Sequence, residues 1–250
     1  MSENIKPELV MFPGFMGHAD DFTGVIEKLN GKVNCRVLTL PQAVNTAQLF
    51  EEIVLTWFKP LRATLPRQFY IYGYSMGGRL ALPVIEYLLE KEPDAVLGVF
   101  LESAHPGLLN PDDCYRRLLW DSGWAKAFGF EPLEVVLGRW YQQSVFKGLQ
   151  ASEIEELIAQ RKRLNAKNLA TQIIQFSLGW QPDYREMLAN SGLQITFFSG
   201  EQDRKFTAIG QQLAALDGVE HLIADGISHT VHFQNPAWIA QHLLARLSED

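Results

Sequence analysis

Cysteine is scarce in this chain: Cys35 and Cys114 are the only two in 250 residues, far apart and in no metal-type spacing. Such a sequence builds neither a disulfide scaffold nor a thiolate metal site, and the pair reads as reduced thiols of a cytoplasmic protein. Basic excess is missing too. With 22 Lys and Arg against 29 Asp and Glu the formal net charge is -7, so neither nucleic acid nor an anionic membrane is expected as a partner. Any anion the protein binds must then meet a locally cationic pocket. No apolar run approaches the roughly 20 residues of a membrane span, and Met1 to Pro7 lacks the basic-then-apolar pattern of a signal peptide. Internal repeats and low-complexity tracts are absent as well. What remains is a chain 47% hydrophobic and 20% charged, long enough to bury one core with room for an inserted subdomain.

Short apolar runs at Leu9 to Phe12 and Arg36 to Leu40 read as buried strands, and Phe69 to Tyr72, Val96 to Leu101, Ile195 to Ser199 and Val219 to Ala224 as further strands. Segments of helical periodicity separate them. Phe22, Val25, Ile26 and Leu29 fall on one face, with Asp20 or Asp21 placed to cap. Thr46 to Leu65 repeats the pattern until Pro60, and helices are expected from Met76 to Glu90, Phe206 to Leu216 and Pro236 to Leu247. Strands alternating with helices define an α/β fold with a mostly parallel sheet. After Ser103 the rhythm changes. About ninety residues show helical periodicity only, too many for a structureless loop. Trp120, Trp124, Phe128, Leu133, Val136, Leu137, Trp140 and Tyr141 supply apolar faces there, and Ser152 with Glu155 forms a capping-box pattern. The expected organisation is a core of residues 1–103 and 193–250 with a helical lid inserted at 104–192.

Gly73-Tyr74-Ser75-Met76-Gly77 matches Gly-x-Ser-x-Gly directly after a strand and directly before a helix. That is the context in which the motif makes a nucleophile elbow and defines an α/β-hydrolase fold. A serine hydroxyl is sluggish until a histidine takes its proton, and the histidine needs an acid to fix its tautomer. In this fold both follow the serine, acid first. His229 is the expected base, with His232 as competitor. Asp203, in the turn Gly200-Glu201-Gln202-Asp203, is the preferred acid over Glu201 and Glu102, which also follow strands. His18, His105 and His221 are assigned to packing or surface. The oxyanion hole is expected from the backbone N–H groups of Met76 and of Phe15, in the loop Pro13-Gly14-Phe15-Met16-Gly17.

Arg79 breaks a local rule, because a cation in the first turn of a helix opposes the macrodipole. Beside the serine it points to an anionic substrate. Arg116, Arg117, Arg139, Arg161, Lys162 and Arg163 add cations in the helical insert, most of them expected to be solvated surface.

Gly73 through Arg79, His105-Pro106-Gly107-Leu108, Trp140-Tyr141-Gln142-Gln143, Gly200 through Asp203, and His229 through Asn235-Pro236 together resemble the 2-succinyl-6-hydroxy-2,4-cyclohexadiene-1-carboxylate synthases of menaquinone biosynthesis. Nearly the whole chain takes part. The resemblance implies that Arg79, Arg117 and Arg161 bind substrate carboxylates and that Tyr74, Trp140 and Tyr141 line the pocket. Two positions depart from the family pattern: Pro13-Gly14 stands in place of His-Gly, and Ser228 in place of Gly before the histidine. The implied reaction eliminates pyruvate from a small polycarboxylate without water, metal or organic cofactor, in a monomer or small homo-oligomer. A serine carboxylesterase or thioesterase working through an acyl-enzyme, and a non-catalytic binding protein on the same scaffold, remain open from the residues alone.

Overall fold

The computed structural model describes residues 6–42 and 49–247. Its centre is a six-stranded sheet of β1 (Glu8–Phe12), β2 (Asn34–Val37), β3 (Phe69–Tyr74), β4 (Val96–Glu102), β5 (Ile195–Gly200) and β6 (Val219–Ala224), in the order β2-β1-β3-β4-β5-β6. Every neighbouring pair is parallel. The chain steps outward from β1 to β2, then returns to the other side of β1 for all later strands. The carboxyl ends of β1 and β3 therefore flank the point where strand order reverses, the crevice in which open α/β sheets bind ligands.

Strand alternation divides the core. Leu9, Met11, Tyr70, Tyr72, Phe100 and Phe198 face α1 (Thr23–Leu29) and α11 (Pro236–Leu247). On the opposite face Val10, Phe12, Ile71, Val99, Leu101 and Phe197 pack with α2 (Phe50–Arg62), α3 (Met76–Lys91) and α9 (Arg204–Leu213). Both faces being covered explains why β1, β3, β4 and β5 read as near-continuous apolar runs, whereas the edge strands β2, expected to be buried, and β6 are partly exposed.

Five helices lie between β4 and β5: α4 (Pro111–Phe130), α5 (Leu133–Trp140), α6 (Ala151–Arg161), α7 (Ala166–Gln175) and α8 (Arg185–Asn190). Ala127, Phe128, Val136, Leu137, Leu169 and Ile173 form a cluster of their own there, and Met16 and Phe15 from the β1 loop reach into it. A short helix, α10 (Val231–Gln234), precedes α11.

Several expectations shift. β2 runs from Asn34 to Val37, ahead of the expected Arg36 to Leu40; the Leu38 N–H still donates to Met11 O at 2.8 Å before the chain leaves the sheet. The first-turn cap of α6 is Glu153, whose carboxylate accepts the Gln150 N–H at 2.6 Å, rather than the pair Ser152 and Glu155. Both pairs have the same three-residue spacing, and the helix begins two residues earlier than that pattern implied. Asp21 caps the 3-10 turn Ala19–Phe22 through the His18 N–H, and α1 begins only at Thr23 with no side-chain cap. Helix α9 starts at Arg204 because Asp203 caps it, accepting the Phe206 N–H at 3.4 Å. Trp120, expected on an apolar face, is exposed. Helix α2 ends two residues beyond Pro60, α3 continues through Pro83 to Lys91, and the expected helix residues Thr46 to Gln48 lie outside the described residues.

Candidate active site

Three loops at the carboxyl ends of the strands build the site. After β3 the chain turns sharply into α3, leaving Ser75 at φ 49°, ψ -114°, a backbone state that a side-chain-bearing residue adopts only under constraint. The constraint is visible at Gly77: a Cβ there would lie 2.2 Å from both Phe12 O and Pro13 O. Only glycine lets α3 come so close to the end of β1.

His229 follows β6 and Asp203 follows β5. His229 Nε2 is 3.1 Å from Ser75 Oγ, and its Nδ1 is 2.6 Å from Asp203 Oδ2. Asp203 and His229 are both buried, so the imidazole is held with Nδ1–H on the carboxylate and Nε2 free to accept from the hydroxyl. The competing residues pair with each other. Glu102, wholly buried at the end of β4, accepts from His232 Nδ1 at 2.9 and 3.0 Å, from the His232 N–H at 3.1 Å, and from the Tyr72 hydroxyl. Burial, reinforced by that carboxylate, pushes the Tyr72 hydroxyl well above its ordinary value. Glu201 accepts the Gly226 N–H at 2.8 Å on the surface.

A cavity of about 230 Å³ opens onto this line. Phe15, Ser75, Met76, Arg79, Ser103, His105, Arg117, Trp140, Lys205 and His229 are among its walls. The N–H of Met76, at the first helical position of α3, has no intrahelical acceptor and is available to an anion. Arg79 is buried: it donates to Phe176 O at 2.7 Å and to Gln181 Oε1 at 3.2 Å, and among the described residues no carboxylate is in ion-pair contact with it, Asp121 acting only from a distance. Burial and the neighbouring Arg117 pull its guanidinium down to about 9, still cationic at neutral pH. Arg117 donates through Nε to Asp121 Oδ2 at 2.8 Å, and Ser177 Oγ donates to the same oxygen at 2.6 Å.

The remaining expected binding residues stand elsewhere. Tyr74, Tyr141 and Arg161 line a smaller adjoining pocket of about 30 Å³, which shares Phe15, Trp140 and Phe146 with the larger one. Arg161 donates to Asp21 Oδ2 at 2.9 Å, both side chains 9% exposed. Tyr74 packs between the two histidine rings, 4.4 Å from that of His232 and 5.5 Å from that of His229. Burial raises its hydroxyl well above the ordinary range.

Three polar cavity residues, Ser103, His105 and Lys205, are given no site role by the sequence reading. His105, assigned there to packing or surface, forms part of the wall, and Lys205 was not singled out. Lys205 is a cation in the first turn of α9, the signal that drew attention to Arg79, but the expected start at Phe206 left it outside the helix.

A hydroxyl in line with a buried imidazole and carboxylate, beside backbone donors and unneutralised guanidinium, can move a proton on an anionic molecule and stabilise the negative charge that results. The fold and this arrangement place the chain in the α/β-hydrolase class, and the model of the α/β hydrolase fold family matches residues 44–236. Within that class the chain belongs to the 2-succinyl-6-hydroxy-2,4-cyclohexadiene-1-carboxylate synthase family. It is 34% identical over 241 residues to the synthase of Salmonella typhimurium, covering 95% of this chain and 92% of that protein. Against the synthase of Salmonella newport it is 34% identical over 245 residues, with the same coverage. Among solved structures, MenH from S. aureus superposes with a TM-score of 0.85 at 22% identity, over 98% of this chain and 96% of that one. The enol-lactonase of Burkholderia xenovorans LB400 follows the same fold with a TM-score of 0.76 at 14% identity, over 100% of this chain and 94% of that one.

Proposed function

We propose that this protein is a carbon–oxygen lyase of menaquinone biosynthesis. It eliminates pyruvate from 2-succinyl-5-enolpyruvyl-6-hydroxy-3-cyclohexene-1-carboxylate to give 2-succinyl-6-hydroxy-2,4-cyclohexadiene-1-carboxylate. Names of relatives at 34% identity over 95% of the chain support the reaction. The observation that carries it in this molecule is the placing of Arg79 and Arg117 in one cavity with Ser75 and His229. An enzyme for neutral esters gains nothing from burying an unneutralised guanidinium beside its serine, whereas carboxylates bind such a group through charge-assisted hydrogen bonds.

His229, oriented by Asp203, takes the Ser75 proton, and the alkoxide removes the ring proton beside the succinyl ketone. Electrons from that C–H bond move into the ketone, and the resulting enolate is held by the N–H groups of Phe15 and Met76. When the enolate collapses, the conjugated diene forms and the bond from the ring to the enolpyruvyl oxygen breaks. The departing enolpyruvate takes up a proton and becomes pyruvate, so no water is consumed. Arginine contacts to the carboxylates keep the ring in register throughout, which is where orientation lowers the barrier.

Pyruvate release from the enolpyruvyl substrate, followed by a coupled dehydrogenase beside a panel of aryl esters and thioesters, tests the reading. Rapid release with slow ester turnover is expected. Ester or thioester turnover exceeding pyruvate release would replace the lyase with an acyl-enzyme hydrolase.

A further inference from the structure

The substrate of the proposed reaction carries three carboxylates, and the larger cavity holds two of the three arginines expected to bind them. Arg161 stands in the smaller pocket with Asp21 already upon it, and Arg117, although it lines the larger cavity, is itself paired with Asp121. A third cation does line the larger cavity. Lys205 is exposed at its rim, its ammonium over the Phe206 ring at 5.3 Å, and among the described residues it forms no ion pair. The segment after β4 supplies two further polar groups to the same walls. Ser103 turns out of the strand at φ 48°, and its Oγ is fully buried without a protein partner. Two residues on, His105 accepts the Gly107 N–H at Nδ1, 3.1 Å away, which fixes the neutral ring with its proton on Nε2.

We propose that Lys205, with the Nε2–H of His105 and the hydroxyl of Ser103, forms a third carboxylate subsite that receives the carboxylate of the enolpyruvyl group. The assignment rests on the pyruvate-eliminating reading above. The leaving fragment must exit while the ring is still held, so its carboxylate belongs with the cation at the open rim and not with buried Arg79. Burial holds the His105 ring neutral, and Lys205, Arg185, Arg79 and Arg117 oppose its protonation as well, pulling it down to about 3. A ring so placed donates to an anion without changing charge at working pH.

Lys205→Met, with Lys205→Arg as the conservative rescue, separates this subsite from a general effect of charge. For Lys205→Met, KM for the enolpyruvyl substrate should rise about tenfold or more and pyruvate inhibition should weaken by a similar factor, as loss of one charge-assisted contact implies. Affinity for the cyclohexadiene product, which lacks the enolpyruvyl group, should stay within about twofold of wild type, and Lys205→Arg should recover most of the loss. Unchanged substrate KM would overturn the subsite, as would an equal loss of product affinity. Direct titration of pyruvate into wild type and Lys205→Met separates the two readings. Lys205-dependent pyruvate binding by a protein that does not eliminate pyruvate would sink the reaction and keep the subsite. Efficient elimination indifferent to Lys205 would do the reverse.

Discussion

Asp203 Oδ2 lies 2.6 Å from His229 Nδ1, and neither side chain is reached by more than a trace of solvent. A carboxylate in that position fixes which ring nitrogen faces the serine and stabilises the imidazolium that forms during proton transfer. Asp203→Asn should therefore fold normally and lose about 10³- to 10⁴-fold in kcat, with KM little changed. Steady-state pyruvate release and a circular dichroism melt check both halves of that expectation.

Arg79 serves the fold and the cavity together, since two of its N–H groups are spent on Phe176 O and Gln181 Oε1. Arg79→Met strips those buried acceptors of their donor, at about 1 to 3 kcal/mol of stability. The same change takes a cation from the cavity, so KM for the enolpyruvyl substrate should rise steeply. Urea denaturation and substrate kinetics separate the two losses.

Arg161 and Asp21 form an ion pair shielded from water. Asp21→Asn leaves the guanidinium buried beside a neutral amide and should destabilise the protein by about 3 kcal/mol or more. Chemical denaturation reads this directly. A stability within about 0.5 kcal/mol of wild type would mean that the pair is solvated or opens readily.

His105 gives the protein an acid-sensitive element. Its folded pKa is pulled from the ordinary 6.5 to about 3, chiefly by burial. Between those values the unfolded chain binds a proton that the folded ring refuses. The stability this supplies is complete above about 6.5 and is lost progressively as pH falls toward 3. Denaturation midpoints of wild type should fall on this limb, and those of His105→Gln should fall less.

Much of this was legible in the sequence. Apolar runs marked the four inner strands because both faces of the sheet are covered there, while the partly exposed edge strands β2 and β6 gave a weaker signal, and the serine motif between strand and helix located the elbow. Boundaries were less legible. Capping at α6 depends on which of two equally spaced pairs the backbone selects, and β2 ends where pairing with β1 ends. The destinations of the long cations were the least readable. Arg161 meets a carboxylate 140 positions away, and Arg79 finds its acceptors about 100 residues on, so local spacing carries no trace of either partnership. Lys205 was hidden by a boundary, because the expected helix began at Phe206 and only the Asp203 cap moves its start to Arg204.

The most direct test of the account is turnover by Ser75→Ala with product affinity measured on the same preparation. If the Ser75 hydroxyl, 3.1 Å from His229 Nε2, is the group that removes the ring proton, kcat should fall by at least about 10³-fold while affinity for the cyclohexadiene product is retained. Pyruvate release by this variant at close to the wild-type rate would contradict a serine base and leave the imidazole to act alone.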